Sequence, residues 1–205
     1  MVETAKQATK EIPSFAFVGG FGSGKSYYSE RLQVMMEQEL GVPIYRVHIA
    51  AKLKEIAVDL FHMEGKDRKL TNAISAAMRG IDPNVWPNYL VEDIKKHGKQ
   101  PFIIDDMRFM NDASVLRANF PNLIIVRLET VEEQRMAAFE KRYGRRPKQE
   151  ELSDPTEADI PFLRADITLR NEYKPETTTA QLHGIVEGIK GGTLLRREPP
   201  QAVPS

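Results

Sequence analysis

The 205-residue chain contains no cysteine. That absence excludes disulfides, a thiol nucleophile and any cysteine-ligated metal, and it suits a reducing compartment. Charge of one sign is not in surplus either: 29 lysines and arginines face 29 aspartates and glutamates, a formal net charge of zero. A protein that coats nucleic acid by electrostatics alone carries a basic excess, so this balance disfavours that class and leaves only a local basic patch open. No uninterrupted apolar run reaches the roughly 18 residues that span a bilayer. The opening segment MVETAKQATKEIPS has no apolar signal-peptide core. The expected setting is the cytoplasm, with no membrane partner. Internal repeats, low-complexity blocks and an N-K-x-D element of the kind that reads guanine are also missing.

What is there suffices for one buried core: 41% of residues are hydrophobic and 28% charged. Residues 1–12 read as a flexible polar lead. Residues 191–205, with two glycines and three prolines, read as a disordered tail. Between them, a domain over 13–190 alternates short apolar runs with longer amphipathic ones. Strands are expected at 14–19, 43–49, 101–105, 122–128 and 166–170, rich in Ile, Val and Phe as buried parallel strands are. Helices are expected at 24–40, 50–62, 67–80, 84–97, 111–119, 131–142 and 177–189. The alternation predicts an α/β fold of three layers around a five-stranded parallel sheet. Helices 67–80 and 84–97 follow one another with no strand between them, so the segment 67–97 reads as a helical insertion where an acceptor would sit.

Residues 19–26, GGFGSGKS, fit G-x-x-x-x-G-K-[ST] through Gly19, Gly24, Lys25 and Ser26, with a strand before and a helix after. Gly20 and Gly22 give the backbone freedom to wrap a phosphate. Inward N–H groups from Gly20 to Tyr27, including that of Ser23, and the positive end of the helix dipole would bind phosphate oxygens. Lys25 would reach the β- and γ-phosphates of ATP, and the Ser26 hydroxyl would bind Mg²⁺. The bland alternative is a glycine-rich turn with an exposed lysine.

Residues 101–108, PFIIDDMR, put acidic residues at the end of an apolar strand, where a parallel sheet opens to its ligands. Asp105 or Asp106 would hold Mg²⁺ or accept a proton, and Arg108 would pair with phosphate oxygens. In RMAAFEKRYGRR (135–146), Arg135 and Arg142 share a helical face and read as catalytic arginines of a lid over 135–155. A solvated basic helix end is the alternative. Lys52 and Lys54, then Arg68 and Arg79 of the insertion, offer cations to an acceptor phosphate; Trp86 offers either a stacking face or a core side chain. The four histidines show no metal-ligand spacing.

The ordered set FGSGKS, AAKLKE, an arginine-bearing helix before DPNVW, DDMRFMND, SDPTEAD and DITLRNE resembles the phage-type deoxynucleoside monophosphate kinases and, more remotely, animal phosphomevalonate kinases. The resemblance covers residues 14–190. It implies a P-loop NTPase fold with an inserted substrate-binding region and a basic lid, and transfer of the γ-phosphate of ATP to a (deoxy)nucleoside 5′-monophosphate. Carried over by position, Lys25 and Ser26 serve ATP and metal, Asp106 and Arg108 form the D-x-R element, and Arg135 or Arg142 is the lid arginine. Asn171 sits near the nucleotide base or at the end of the core. The chain departs from the pattern at Thr156-Glu157, where Ser-Glu is common, and in the longer stretch RYGRRPKQEE. The implied partners are small nucleotides, in the host cytoplasm if the chain is phage-encoded. A kinase acting on a modified base in DNA, a phosphomevalonate-type kinase and a non-catalytic nucleotide switch are the competing readings, and a homodimer stays open.

Overall fold

The computed structural model describes residues 12–152 and 155–194. The expected lead, except Ile12, and the tail beyond Leu194 lie outside the described residues. Five strands, β1 (Ser14–Val18), β2 (Tyr45–Val47), β3 (Phe102–Ile104), β4 (Leu123–Glu129) and β5 (Ile167–Arg170), form one all-parallel sheet in the order β2-β3-β1-β4-β5. The helices are α1 (Lys25–Leu40), α2 (Ala50–Phe61), α3 (Arg68–Ile81), α4 (Val85–Lys96), α5 (Met110–Asn119), α6 (Glu132–Tyr143), α7 (Gln149–Leu152) and α8 (Pro175–Gly191). Short 3₁₀ turns lie at Pro155–Glu157 and Ile160–Phe162.

The central strands are buried on both faces, which is why they read as continuous apolar runs. Strand alternation sends Phe15 and Phe17 to one side and Ala16 and Val18 to the other. Phe15 and Phe17 pack with Tyr28, Leu32 and Met36 of α1 and Leu182, Val186 and Ile189 of α8. Ala16, Val18 and Ile104 pack with Leu53 of α2, Trp86, Leu90 and Ile94 of α4 and Leu116 of α5. The sheet thus has α1 and α8 on one face and the inserted helices on the other.

Helix α8 outlasts its expected end. It runs to Gly191, is capped by Gly192 at φ 72°, and Leu194 folds back onto the core. Residues 191–194, assigned to the tail from composition, belong to the helix terminus. Asp67 caps α3 by accepting the N–H of Leu70 at 2.9 Å, which fixes where the insertion begins. Among the described residues, no helix is long and apolar enough to cross a membrane.

Candidate active site

The parallel register brings three strand ends together. Ala16 of β1 and Val47 of β2 both pair with Ile104 of β3. The residues that follow, the glycine-rich loop, His48 and Asp105-Asp106, therefore meet at the carboxyl edge of the sheet.

In the loop, Gly24 has φ 93° and Gly22 φ 71°, the left-handed region that favours glycine. A Cβ on Gly24 would also lie 2.4 Å from Asn171 Nδ2. Gly24 opens α1 with no side-chain cap and no acidic residue in the first turn, leaving its N–H groups and dipole available to an anion. Lys25 Nζ donates to the carbonyls of Gly19 and Gly20 at 2.5 and 3.0 Å. Burial, and secondarily the charge of Arg108, lowers its pKa to about 8.

Several groups brace this loop. Asn171, only 3% exposed, donates to Ser23 O at 2.9 Å and accepts from Tyr173 N at 2.8 Å. Its amide is thereby committed to shaping the loop, although it lines the adjoining cavity. Tyr173, held at φ 56°, donates its hydroxyl to Gly22 O at 2.7 Å. Glu157 accepts the N–H of Phe21 at 2.8 Å and pairs with Arg108 at 3.4 Å. Arg135 donates to Phe21 O at 3.2 Å and lies 3.4 Å from where a Cβ on Gly20 would stand.

The two adjacent aspartates differ. Asp106 accepts the N–H groups of Ile49 and Ala50, both at 2.9 Å, and so anchors the start of α2. Burial raises its pKa against those two bonds. Asp105 is also opposed by burial, but hydrogen bonds from His48 and Ser26 and the charges of His48 and Arg46 hold it down to about 2. His48 Nδ1 lies 2.9 Å from Asp105 and Arg46 Nη2 3.0 Å from it. Asp105 also accepts from Ser29 Oγ at 3.3 Å, a hydroxyl that reaches Ser26 O at 2.9 Å as well. Asp106, expected to serve the metal, accepts two backbone amides, and the oxygens of Asp105 are engaged in turn by His48, Arg46 and Ser29. The ionised Asp105 oxygens and the Ser26 hydroxyl are hard donors of the kind Mg²⁺ takes, so this pair fits the ion that the loop motif implies. His48, to which sequence spacing gives no role, has ligand atoms within 4.8 Å of both carboxylates.

Two cavities flank the loop. One, of 510 Å³, is lined by the loop, by Arg135, Phe139, Arg142 and Tyr143 of α6, and by Asn171 and Tyr173. Tyr27 lines it with Arg31 stacked 5.4 Å from its ring. Two groups on this wall, Ser23 Oγ and Arg135 Nε, are buried with no hydrogen-bond partner among the described residues, an arrangement suited to an anionic ligand that accepts from them. The other cavity, of 400 Å³, lies under the inserted helices and is lined by residues of α2, α3, α4 and α5. Lys25, Ser26, Arg68 and Arg108 line both.

The predicted acceptor residues fare unequally. Arg68 stands at the junction, 5.4 Å over the Phe21 ring. Arg108, donating to Thr156 Oγ1 at 2.6 Å, stands there too. Lys52 pairs with Glu55 at 2.8 Å and lines neither cavity; Lys54 lines the second one in its place, because helical periodicity turns the two lysines apart. Trp86 is 3% exposed and packs in the core, forming the floor of the second cavity. Arg79 is committed to Asp112, at 3.0 Å, and to Pro83 O, at 3.1 Å. Burial raises Asp112 to about 6 despite that arginine. Glu157, Tyr173, Lys66 and Phe109 are further site residues the sequence reading gave no part in the chemistry. The family resemblance carried a signal for Glu157 in SDPTEAD and for Phe109 in DDMRFMND, and Ser153 and Asp154 of the former lie outside the described residues.

No protein-family model matches the chain, and no curated protein matches it in sequence. Solved structures do. A shikimate kinase from Acinetobacter baumannii in complex with shikimate superposes with a TM-score of 0.54 at 14% identity, covering 91% of this chain and 98% of that one. A sugar kinase from Janibacter sp. gives 0.50 at 15% identity, covering 90% and 99%. At such identity the likeness is one of architecture: the chain has the three-layer α/β fold of P-loop kinases, with a five-stranded all-parallel sheet.

Proposed function

We propose that the chain is an ATP-dependent phosphotransferase whose acceptor is a small phosphorylated molecule, a (deoxy)nucleoside 5′-monophosphate. The observation that carries the reading is the meeting of two cavities at Lys25, Ser26, Arg68 and Arg108. A donor and an acceptor placed in these cavities would present their phosphates to one another across shared cations. The fold shared with small-molecule kinases supports the reaction class. The sequence resemblance to deoxynucleoside monophosphate kinases supports the acceptor.

In this reading an oxygen of the acceptor phosphate attacks the γ-phosphorus of ATP. The bond from that phosphorus to the β,γ-bridging oxygen breaks, giving ADP and the acceptor diphosphate. The attacking oxygen is already anionic, so no strong base is required. The residues position the two phosphates and stabilise spreading charge: Lys25 and the loop N–H groups on the donor, Arg68 and Arg108 between donor and acceptor. Ser26 and Asp105 would hold Mg²⁺, which neutralises charge on the donor phosphates. Arg135 and Arg142 line the donor cavity alone, so they serve ATP and leave the junction to Arg68 and Arg108.

The test is ADP release from Mg-ATP against a panel of deoxynucleoside and nucleoside monophosphates, phosphomevalonate, shikimate and gluconate. Turnover with one or a few nucleotides is expected. Turnover confined to phosphomevalonate or to an unphosphorylated acceptor would replace the acceptor class. Bound ATP with no turnover anywhere would remove the kinase reading.

A further inference from the structure

The acceptor cavity has an aromatic wall that the reaction itself does not require. Phe109 lines it, immediately after Arg108. The guanidinium of Arg79 lies 4.1 Å from the Phe109 ring centroid, a close cation–π distance. Two of the three nitrogens of Arg79 are engaged, and its Nε is buried with no hydrogen-bond partner among the described residues. Its Nη2 reaches both oxygens of Asp112, at 3.0 and 3.1 Å, and its Nη1 donates to Pro83 O at 3.1 Å. Asp112 is 1% exposed. A buried carboxylate of this kind holds its arginine firmly, because separation would leave an unpaired charge in the interior. Asn111 adds bonds to Pro83 O at 2.6 Å and Asn84 Oδ1 at 3.0 Å, so the start of α5 is stitched to the α3–α4 corner. The result is a ring covered by a guanidinium that is hydrogen-bonded to Asp112 Oδ2 and Pro83 O.

A phosphate-only acceptor has no use for such a surface. Phosphate is served at the junction by Arg68 and Arg108 and, within this cavity, by Lys54. Phe109, Trp86, Arg79 and Asp112 line the acceptor cavity and not the donor one. The volume of 400 Å³ is in the range that holds a small planar ligand with its phosphate.

We infer that Phe109, backed by the Arg79–Asp112 pair, is a stacking platform for a planar heteroaromatic ring on the acceptor, and that this wall selects nucleotides over ring-free phosphates. The inference rests on the phosphotransferase reading above. Arg79 and Asp112 are positioning residues in it: they hold the platform and do not touch the transferred group.

The experiment compares Phe109→Leu and Phe109→Tyr with the wild type, using the best nucleoside monophosphate and 2-deoxyribose 5-phosphate, the same sugar phosphate without its base. For the nucleotide, Phe109→Leu is expected to raise the acceptor KM about tenfold, the lower range of base–aromatic stacking, and Phe109→Tyr to restore it. The KM for ATP is expected to stay put. For 2-deoxyribose 5-phosphate, the wild type and Phe109→Leu should differ little, because the partner of the ring is already missing. Equal losses on both acceptors, or a shifted KM for ATP, would reduce Phe109 to a structural side chain. An unchanged nucleotide KM in Phe109→Leu would overturn the platform while leaving the kinase reading intact. A wild type that turns over neither acceptor overturns the parent reading, and the platform with it.

Discussion

The two cavities that meet at Lys25 are built in different ways. The proposed donor side is built around one stretch of backbone: the seven consecutive residues from Phe21 to Tyr27 line it, and α1 begins within them. The acceptor side is mainly side chains, drawn from α2, α3, α4, α5 and the turn at Pro155–Glu157. A backbone site needs glycines at fixed offsets, so it leaves a contiguous motif. A side-chain site needs only that certain residues arrive together, and several arrangements of the chain achieve that.

The largest expected effect tests the seam between the two. Lys25→Ala should lower kcat by about 10²–10³-fold, the scale of losing one stabilising donor to a transferring phosphate, with the thermal midpoint preserved because the buried ammonium is already disfavoured by desolvation. Near-normal turnover would dissolve the site.

Asp105→Asn comes next, read in stability. Asp105 sits at about 2 against an ordinary 3.8. A carboxylate held below its unfolded value contributes stability above pH 4 and loses it as pH falls toward 2, here about 2 kcal/mol. The variant should melt lower than the wild type at pH 7 and converge with it near pH 2. A constant gap across that range would mean that Asp105's charge is not what matters.

Separating the cavities is the third test. Arg142→Ala should raise the KM for ATP and spare the acceptor. Arg108→Ala should raise the acceptor KM about tenfold and lower kcat, since it stands in both cavities and also loses Thr156 and Glu157. Identical signatures from the two variants would erase the distinction between the sides.

A smaller effect lies in pH. Lys25 is lowered to about 8, so its charge is present below that value and lost above it. ATP affinity should decline several-fold from pH 7 to 9, and Lys25→Ala should bind weakly with a flat profile. The smallest contrast is within one helix turn. Lys54→Ala should raise the acceptor KM a few-fold, whereas Lys52→Ala, whose lysine pairs with Glu55, should leave it unchanged.

The sequence shows the fold well because each level of it agrees. All five strands and the seven long helices fall within a few residues of their expected positions. The composition of α8's end misled because Gly191-Gly192 marks a helix cap as well as it marks a tail. The acceptor residues were legible only as a region. Lys52 and Lys54 are two apart, and which one meets the cavity depends on how α2 is rotated against the sheet.

By itself, the sequence determined the parallel sheet, the succession of α3 and α4 with no strand between them and the glycine-rich loop, since apolar runs, helical periodicity and glycine spacing are local physical demands. Tertiary structure alone gave Asp105 and Asp106 different partners. The register of β1, β2 and β3 brings Asp105 to Ser29, His48 and Arg46, and gives Asp106 to the amides of Ile49 and Ala50. The same holds for Arg79, an available cation in the sequence and, once folded, the partner of a buried carboxylate. Neighbours far apart in sequence set how much charge a side chain has left to offer, and only folding supplies them.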